Sequence, residues 1–286
     1  MKILELFSGT ESFSKVAKAR GHQVFTIENN PKFNPNLCKN ILDVTIKDFP
    51  FKPDVIWASP PCTCFSVASI GKSWCGNYCP SRTETALGMA YVLKTLELIK
   101  KLKPRYFFIE NPRGVLRKMD FMKDLPRNTV TYCQYGDTRM KPTDIWTNCS
   151  FWKPKPMCKN GSPCHIPAPR GSKTGTQGLK GNMERAIVPE KLCLEILQCC
   201  EQLIANPSTS PNGDFATQKI LIGIKRDANA SPNLSKAQTS LNSDIRQNFP
   251  TASLASVNLK PLMLKLNLTS PCEISTSQNT GVKFHY

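Results

Sequence analysis

The alternation of short apolar runs with helical segments is the feature that most constrains the fold of this chain. Four apolar runs are typical of buried strands: residues 3–7, 24–27, 54–58 and 106–109. Residues 83–102 carry apolar side chains at helical spacing and contain no proline. Strands that alternate with helices predict a mostly parallel sheet with helices on both faces, which is a Rossmann-like α/β fold.

Residues with useful chemistry fall at or just after the ends of the predicted strands. In a parallel sheet of this kind, ligands bind beyond the carboxyl ends of the strands. Gly9 and Glu28 follow the first two strands, and Cys62 and Glu110 follow the other two. The sequence therefore predicts a functional site along this single rim of the sheet.

The length and charge of the chain bound its organisation and its partners. Its 286 residues suit one medium domain with an appendage. The formal net charge of +17 favours a polyanionic partner such as nucleic acid, although a basic balance also serves solubility alone. Residues 207–286 are rich in Ser, Thr, Asn and Pro and hold too few apolar residues for a second core. We expect one domain over residues 1–206 and a basic, disordered tail after it.

Neither a membrane span nor a secretory signal is expected. The chain contains no run of about 18 apolar residues, and Glu5 interrupts the apolar run at its start. We therefore expect an intracellular protein, in the cytoplasm or associated with the nucleoid. Its 13 cysteines would then be reduced thiols, and their odd number means that they cannot all pair within the chain.

The sharpest chemical signal is Cys62, which follows Ser59-Pro60-Pro61. A cysteine directly after a Pro-Pro turn at a strand end lies in a loop at a cleft, not inside a strand. Because the thiolate is the attacking species, such a cysteine needs polar or positive surroundings to react. The alternative is a small buried apolar side chain, and this motif alone leaves both interpretations open.

Glu110 follows a strongly apolar strand. Partial desolvation there would raise the pKa of its carboxyl and let it hold a proton near neutral pH. A solvated acid at the strand end is the alternative interpretation.

The first strand, turn and helix form an element suited to a cofactor. The turn holds four candidate residues: Phe7, Ser8, Gly9 and Thr10. Because it lacks the second glycine of a G-x-G turn, the motif is weak on its own. Glu28 could accept hydrogen bonds from ribose hydroxyls, as the acid at this position does in dinucleotide folds. Asp43 could face an adenine amino group, or it could be an ordinary surface acid.

Taken together, these elements resemble the DNA (cytosine-5) methyltransferase family over roughly the first 200 residues. The compact size and the residues 139–143 are closest to phage-encoded members. The resemblance rests on the following residues, in this order: residues 5–10, Glu28, Asp43, residues 59–62 with Phe65 and Ser66, Glu110 and Asn111, residues 135–142 as a basic motif, and residues 181–190 as a closing motif.

The resemblance implies S-adenosylmethionine as methyl donor and a flipped-out cytosine of duplex DNA as substrate. Cys62 would add to carbon 6 of the base, and Glu110 would hydrogen-bond its ring nitrogen and amine. Arg139 or Lys141 would hold the carbonyl oxygen. The implied cofactor site comprises eight residues: Phe7, Ser8, Gly9, Thr10, Glu28, Asp43, Pro60 and Asn182.

Three departures from the family pattern bear on these roles. Glu11 and Ser12 stand where the family carries glycines, which affects cofactor affinity. Pro112 replaces an apolar residue after Glu-Asn. Lys141 and Thr143 stand in the register of two arginines, so the residue that holds the base stays open.

Residues 146–182 are rich in Pro, Gly, Lys and Cys and lie where this family places its target-recognition segment. Cys149, Cys158, Cys164 and His165 could bind zinc, and a loop without its own core would gain from such a staple. No C-x-x-C pair is present, so unliganded thiols are the alternative. Six basic residues of this insert are candidates for phosphate contacts: Lys153, Lys155, Lys159, Arg170, Lys173 and Lys180.

Three other functions remain open from the sequence. Relatives with the same site plan methylate tRNA, and the lost glycines could mark an inactive module that binds nucleic acid. A thiol-redox protein is disfavoured, because Cys62-Thr63-Cys64 lacks the C-x-x-C spacing. We expect a monomer that acts on DNA, with RNA as the alternative partner.

Overall fold

The computed structural model describes residues 1–167 and 181–206. The tail of residues 207–286, and Arg170, Lys173 and Lys180 of the insert, lie outside the described residues. None of the helices in the described part combines the length and the apolar character that crossing a bilayer requires.

The fold is built on one seven-stranded sheet with the order β3-β2-β1-β4-β7-β9-β8. Strands β5 and β6 form a separate antiparallel pair. The nine strands are β1 Lys2–Leu6, β2 Gln23–Glu28, β3 Leu37–Cys38, β4 Val55–Ala58, β5 Trp74–Cys75, β6 Cys79–Pro80, β7 Tyr106–Pro112, β8 Arg127–Thr131 and β9 Pro142–Thr147. The described helices are α1 Ser12–Ala19, α2 Ile70–Ser73, α3 Thr83–Leu102, α4 Asn182–Ala186 and α5 Glu190–Ala205.

Helices cover both faces of the sheet because successive strand residues point to opposite sides. Leu4 and Ile56 pack into the core on the side of α3. Ile3 and Trp57 pack into a second core with α1 and α5. The first five strands of the sheet order are parallel. This arrangement confirms the predicted Rossmann-like α/β fold, and α3 has the predicted bounds.

One strand extends further than the sequence predicts. The apolar run ends at Ile109, which pairs with the last residue of β4, but β7 continues to Pro112. Its extension pairs antiparallel with β9, where Glu110 lies opposite Ile145. Glu110 therefore lies inside a strand, beyond the edge of its parallel neighbour and not after the strand.

Glu5 joins the first strand to the first helix. Its side chain is 2% exposed, and Oε2 accepts a hydrogen bond of 2.8 Å from the Ser14 backbone N–H. That N–H lies in the first turn of α1, where amide groups have no partner within the helix. Burial raises the pKa of Glu5 from 4.5 to about 7. The carboxyl thus caps α1 from within the sheet and is partly protonated near neutral pH.

Glu5 should make the stability of the fold depend on pH. Between pH 4.5 and 7 the folded chain holds a proton on Glu5 that the unfolded chain has lost, so stability falls as pH rises through this window. The loss is on the order of 3 kcal/mol for a shift of this size. Glu5→Gln keeps an oxygen acceptor but does not titrate. We expect the free energy of unfolding of Glu5→Gln, minus that of wild type, to increase by this amount from pH 4.5 to 7.5.

Urea denaturation across this pH range measures that difference. Other titrating groups are common to both proteins and cancel in the subtraction. A difference that stays constant with pH would contradict the raised pKa.

Candidate active site

Cys62 lies in a loop that two separate contacts hold at the carboxyl rim of the sheet. The backbone carbonyl of Cys62 accepts hydrogen bonds of 3.0 Å from the N–H groups of both Phe65 and Ser66, which closes a turn directly after it. Upstream, Asn111 Nδ2 donates to the Pro60 carbonyl at 2.9 Å. The thiol is therefore held, half-buried, beside the extended end of β7.

Gly114 allows this loop to pack closely against the chain after β7. Val115 N–H donates to the Phe65 carbonyl at 2.7 Å, and Ser66 and Gly114 form an antiparallel bridge. A Cβ atom on Gly114 would lie 2.1 Å from the Phe65 carbonyl oxygen. Only glycine fits this position without a backbone shift.

Glu110 is buried and oriented by Tyr132. The Tyr132 hydroxyl donates to Glu110 Oε1 at 2.8 Å. Burial, and then the charge of Glu110, raise the pKa of Tyr132 well above its ordinary value. The phenol therefore stays protonated and acts as a fixed donor. Tyr132 follows β8, a polar strand that reaches this part of the sheet only by pairing with β9, so the sequence does not indicate the role of Tyr132.

Cys62 shares its electrostatic environment with Glu110 and two cations. Burial raises the pKa of the Cys62 thiol, and the negative charge of Glu110 raises it further. Lys141 and Arg185 act in the opposite direction. The net shift is upward, so the resting cysteine is a thiol. Sequence analysis missed Arg185, which lies in helix α4, distant from the rim motifs along the chain.

Of the two basic candidates, Lys141 is the one placed beside Cys62 and Glu110. Burial lowers the pKa of Lys141, and the charges of Glu110 and Cys62 partly offset this effect. Its Nζ donates to the Arg185 carbonyl at 2.8 Å and lies 4.5 Å from the centre of the Tyr132 ring. The ammonium group is thus held between helix α4 and the residues that surround the thiol.

Arg139 is 4% exposed, and its guanidinium binds other parts of the chain. It pairs with the Asp137 carboxylate, and it donates to the backbone carbonyls of Glu184, Arg185 and Ile187 at 3.1–3.3 Å. This arrangement joins the turn before β9 to helix α4. Arg139 therefore positions the segment that carries Lys141, and the expected direct contact with a base has no support in this geometry.

An open pocket with about 520 Å³ of empty space lies at the carboxyl ends of β1 and β2. Phe7 and Glu28, two of the predicted cofactor residues, line it. Glu28 is fixed by backbone N–H groups: Gly9 donates to Oε2 at 3.2 Å, and Asn29 and Asn30 donate to Oε1. The complete lining is Phe7, Ile27, Glu28, Asn29, Lys39, Asn40, Ile41, Ser59, Pro61 and Tyr91.

Two predicted cofactor residues are replaced by their neighbours in this lining. Asn40 and Ile41 line the pocket, whereas Asp43, at the end of the same short 3-10 helix, does not. Ser59 and Pro61 line it in place of Pro60, whose carbonyl binds Asn111. In a tight turn, residues one to three positions apart point to different sides. The sequence does not reveal which of them faces the pocket.

The closing motif meets the first turn through Ser12. Its Oγ accepts a hydrogen bond of 3.1 Å from Val188 N–H and lies 3.1 Å from Thr10 Oγ1. Ser8 is buried, and its backbone N–H donates to the Ile27 carbonyl. Asn182 begins helix α4, but its side chain lies outside the described part of the structure.

Glu11 keeps the backbone conformation of a glycine. Its φ of 55° is in the left-handed region, which costs about 1 kcal/mol or more for a residue with a Cβ. The carboxylate pairs with Lys18 Nζ at 2.7 Å. Glu11 therefore adopts a backbone conformation that suits glycine, and its carboxylate is directed toward α1.

The predicted metal set is only partly brought together. Cys158, Cys164 and His165 cluster with Cys133, and their four donor atoms lie within 4.8 Å of one another. Cys149 does not join them: it directly follows β9, and its Sγ lies 4.0 Å from Cys199 Sγ on helix α5. The inclusion of Cys149 was wrong because its position is fixed by β9 and not by the insert.

Gly114→Ala should destabilise the protein by on the order of 1–3 kcal/mol, because the new Cβ overlaps the Phe65 carbonyl. Gly71→Ala is the matched control, since a Cβ there meets nothing within 4 Å. We expect that control to change stability by less than about 1 kcal/mol. Chemical denaturation of the three proteins gives the comparison. Equal stability of the two variants would show that the loop is not locked at Gly114.

Comparison with known proteins agrees with this site. The sequence profile of the family C-5 cytosine-specific DNA methylase matches residues 1–127, which include Cys62 and Glu110. The chain is 29% identical over 221 residues to the probable DNA (cytosine-5)-methyltransferase of frog virus 3 (isolate Goorha); the match covers 70% of this chain and all of that protein.

Two solved structures are also similar. A protein described as a DNA modification methyltransferase encoded within an E. coli prophage has 17% identity and a TM-score of 0.38, with 51% of this chain and 46% of that chain covered. A mutant of DNMT2 from Spodoptera frugiperda has 21% identity and a TM-score of 0.37, with 55% and 53% covered. The chain thus spans about half the length of each solved protein. The chain is thus similar to C-5 cytosine-specific DNA methylases over residues 1–127, and to the viral protein over 70% of its length.

Proposed function

We propose that this protein transfers a methyl group from S-adenosylmethionine to carbon 5 of a cytosine in DNA, through a covalent adduct on Cys62. The observation that carries this proposal is the grouping of Cys62, Glu110 and Lys141 in one electrostatic environment. This group lies on the same rim as the pocket, since Pro61, next to Cys62, lines that pocket.

Cys62 would supply the nucleophile that cytosine itself lacks. Carbon 5 of the ring attacks weakly, so the Cys62 thiolate first forms a bond to carbon 6. The electron pair of the C5–C6 double bond then becomes available at carbon 5, while negative charge develops on ring nitrogen 3 and the carbonyl oxygen. After methylation, loss of the proton from carbon 5 re-forms the double bond and expels the thiolate.

Glu110 would bind the edge of the base that gains charge. Because the Tyr132 hydroxyl donates to Oε1, Oε2 is the oxygen that faces the base. A proton carried on Oε2 would be donated to ring nitrogen 3, which has no hydrogen of its own, and the carboxyl would accept a hydrogen bond from the exocyclic amine. A carboxyl that is buried and fixed in this way is preorganised and needs no reorientation as charge develops. Tyr132 is thus a positioning residue for Glu110.

Lys141 would stabilise both the thiolate and the charge on the carbonyl oxygen. An ammonium has three donors, and the Arg185 carbonyl accepts one of them. Burial and the charge of Glu110 raise the pKa of the Cys62 thiol, so the free site disfavours the thiolate. Lys141 then offsets a charge that the free site disfavours.

The pocket suits S-adenosylmethionine, which supplies an electrophilic methyl group when bound. Phe7 and Tyr91, with ring centroids 6.1 Å apart, and Ile41 provide apolar walls for an adenine ring. Glu28 presents a fixed carboxylate to ribose hydroxyls, and Asn40 offers an amide to the base edge.

DNA is the substrate that the family suggests. Because carbon 6 is enclosed in a stacked duplex, the cytosine would have to flip out to reach the half-buried Cys62. The net charge of +17 suits a phosphate backbone of either DNA or RNA. Residues 1–206 would form the catalytic domain, a monomer located with the nucleic acid inside the cell, and the insert would read the target.

Removal of the Cys62 thiol should abolish methyl transfer. We expect Cys62→Ser to lower the rate by at least about 10³-fold, or about 4 kcal/mol of transition-state stabilisation. Cys64→Ser is the matched control, because it removes a thiol two residues away that packs against Gly88. The assay follows labelled methyl from S-adenosylmethionine into duplex DNA and, in parallel, into tRNA.

DNA that contains 5-fluorocytosine separates the adduct from other roles of Cys62. Fluorine replaces the proton that must leave carbon 5, so wild type and Cys64→Ser should become covalently trapped, whereas Cys62→Ser should not. Full activity of Cys62→Ser would refute the covalent route. Label in tRNA alone would keep the chemistry and overturn the DNA substrate.

Glu28→Ala should weaken the binding of S-adenosylmethionine roughly tenfold, because hydrogen bonds to a charged acceptor are lost. Asp120→Ala removes a carboxylate of the same charge that is paired only with Lys123 on the surface, and it serves as control. Isothermal titration calorimetry without nucleic acid gives both affinities. Equal affinities would show that the cofactor binds elsewhere.

A further inference from the structure

Three cysteines and a histidine outside the catalytic group have the geometry of a tetrahedral metal site. Cys133 Sγ lies 3.2 Å from Cys158 Sγ and 3.6 Å from Cys164 Sγ. His165 Nδ1 lies 3.6 Å from Cys158 Sγ and 3.7 Å from Cys164 Sγ. A tetrahedral Zn²⁺ with bonds of about 2.3 Å to sulfur and 2.0 Å to nitrogen separates its ligands by about 3.5–3.8 Å. Three of the four distances fall in this range.

We propose that Cys133, Cys158, Cys164 and His165 bind one Zn²⁺. Three thiolates and an imidazole form one of the usual sets for structural zinc. Calcium and magnesium prefer oxygen ligands, so they do not suit this set. The site is independent of the proposed methyl transfer, because none of its ligands belongs to the catalytic group.

The metal would join the insert to the segment that follows β8. Cys133 lies directly after that strand, whereas the other three ligands belong to the insert. Hydrogen bonds already run between the two segments: Cys158 N–H donates to Thr131 Oγ1 at 3.0 Å, and Ile166 N–H donates to the Thr138 carbonyl at 2.9 Å. The ion would lie between these two hydrogen bonds along the chain and would link the same two segments.

The described part of the insert after β9 would gain from such a staple because it lacks regular structure. Residues 148–167 contain no helix or strand. Loops of more than about 12–15 residues without secondary structure are uncommon in compact domains unless they have a function. Ligand binding by such a segment contributes folding free energy that its few apolar contacts do not supply.

The surroundings of the cluster also suit a metal. Gln134 Nε2 donates to Cys164 Sγ at 3.4 Å, the type of contact that orients and stabilises a coordinating thiolate. Cys133 and Cys158 are buried, whereas Cys164 is exposed. The site is therefore open to a metal on one side and packed against the domain on the other.

Metal content tests the proposal without any measurement of activity. Wild-type protein, purified without chelator, should contain one zinc per chain by plasma mass spectrometry, and Cys158→Ser and Cys164→Ser should each lose it. Cys149→Ser should retain the full content, since Cys149 packs against α5. Cys38→Ser, a surface variant remote from the cluster in sequence, is a second control. Cobalt in place of zinc should give wild type the intense visible absorption of a tetrahedral thiolate site.

Chelation of the wild-type protein avoids dependence on the folding of the variants. Removal of the metal should increase amide exchange across residues 149–166 and leave β1 and β4 protected. Protein without zinc, zinc retained by both Cys158→Ser and Cys164→Ser, or a Cys133–Cys158 disulfide found by peptide mapping would each overturn the proposal. Wild-type protein that contains zinc but transfers no methyl group would contradict the proposed function and leave the zinc site intact.

Discussion

The antiparallel pairing of β9 with the end of β7 is the constraint on which the active site depends. It carries β7 three residues beyond its last partner in β4. Two of these residues make contacts that organise the site. Glu110 is buried against Tyr132, and Asn111 donates a hydrogen bond to the Pro60 carbonyl. Without that extension the loop that carries Cys62 would lose its contact with Asn111. A strand pairing thus brings together the proposed nucleophile and the proposed acid, Cys62 and Glu110, which are 48 residues apart in sequence.

The same antiparallel strands bring the remaining groups to this edge. Tyr132 follows β8, and Lys141 precedes β9. Arg139 joins the turn between these strands to helix α4. Its guanidinium binds Asp137 and three backbone carbonyls in and just after that helix. The same connection between β8 and β9 supplies Cys133 to the proposed zinc site. The parallel half of the sheet therefore provides Cys62 and the pocket proposed for the cofactor, and the antiparallel half provides the groups that would hold and polarise the base.

This division explains how much the sequence could predict. Parallel strands buried on both faces are continuous apolar runs, so the ends of β1, β2 and β4, and with them Gly9, Glu28 and Cys62, could be predicted. The apolar run of β7 also led to Glu110, although the strand itself continues past this residue. Strands β8 and β9 have the sequences RNTVT and PTDIWT, which lack such a run. Their pairing is decided by tertiary contacts. The roles of Tyr132, Lys141 and Arg139 could not be separated for that reason, and Cys133 could not be connected with the insert, because no spacing rule relates a turn to a loop 25 residues later.

The burial that holds the side chains of the site in place also lowers the reactivity of Cys62 at rest. Desolvation and the charge of Glu110 raise the pKa of Cys62 and keep it protonated. Desolvation also lowers the pKa of Lys141. A free site of this kind has a poor nucleophile, which limits side reactions of the thiol. In the proposed reaction, binding of a base would change the balance, because its exocyclic amine would donate a hydrogen bond to the Glu110 carboxylate and reduce the repulsion that this group exerts on a thiolate. Lys141, held by the Arg185 carbonyl, then meets two negative charges that develop only with the substrate in place. The burial that disfavours the thiolate at rest therefore strengthens its pairing with Lys141 during the reaction.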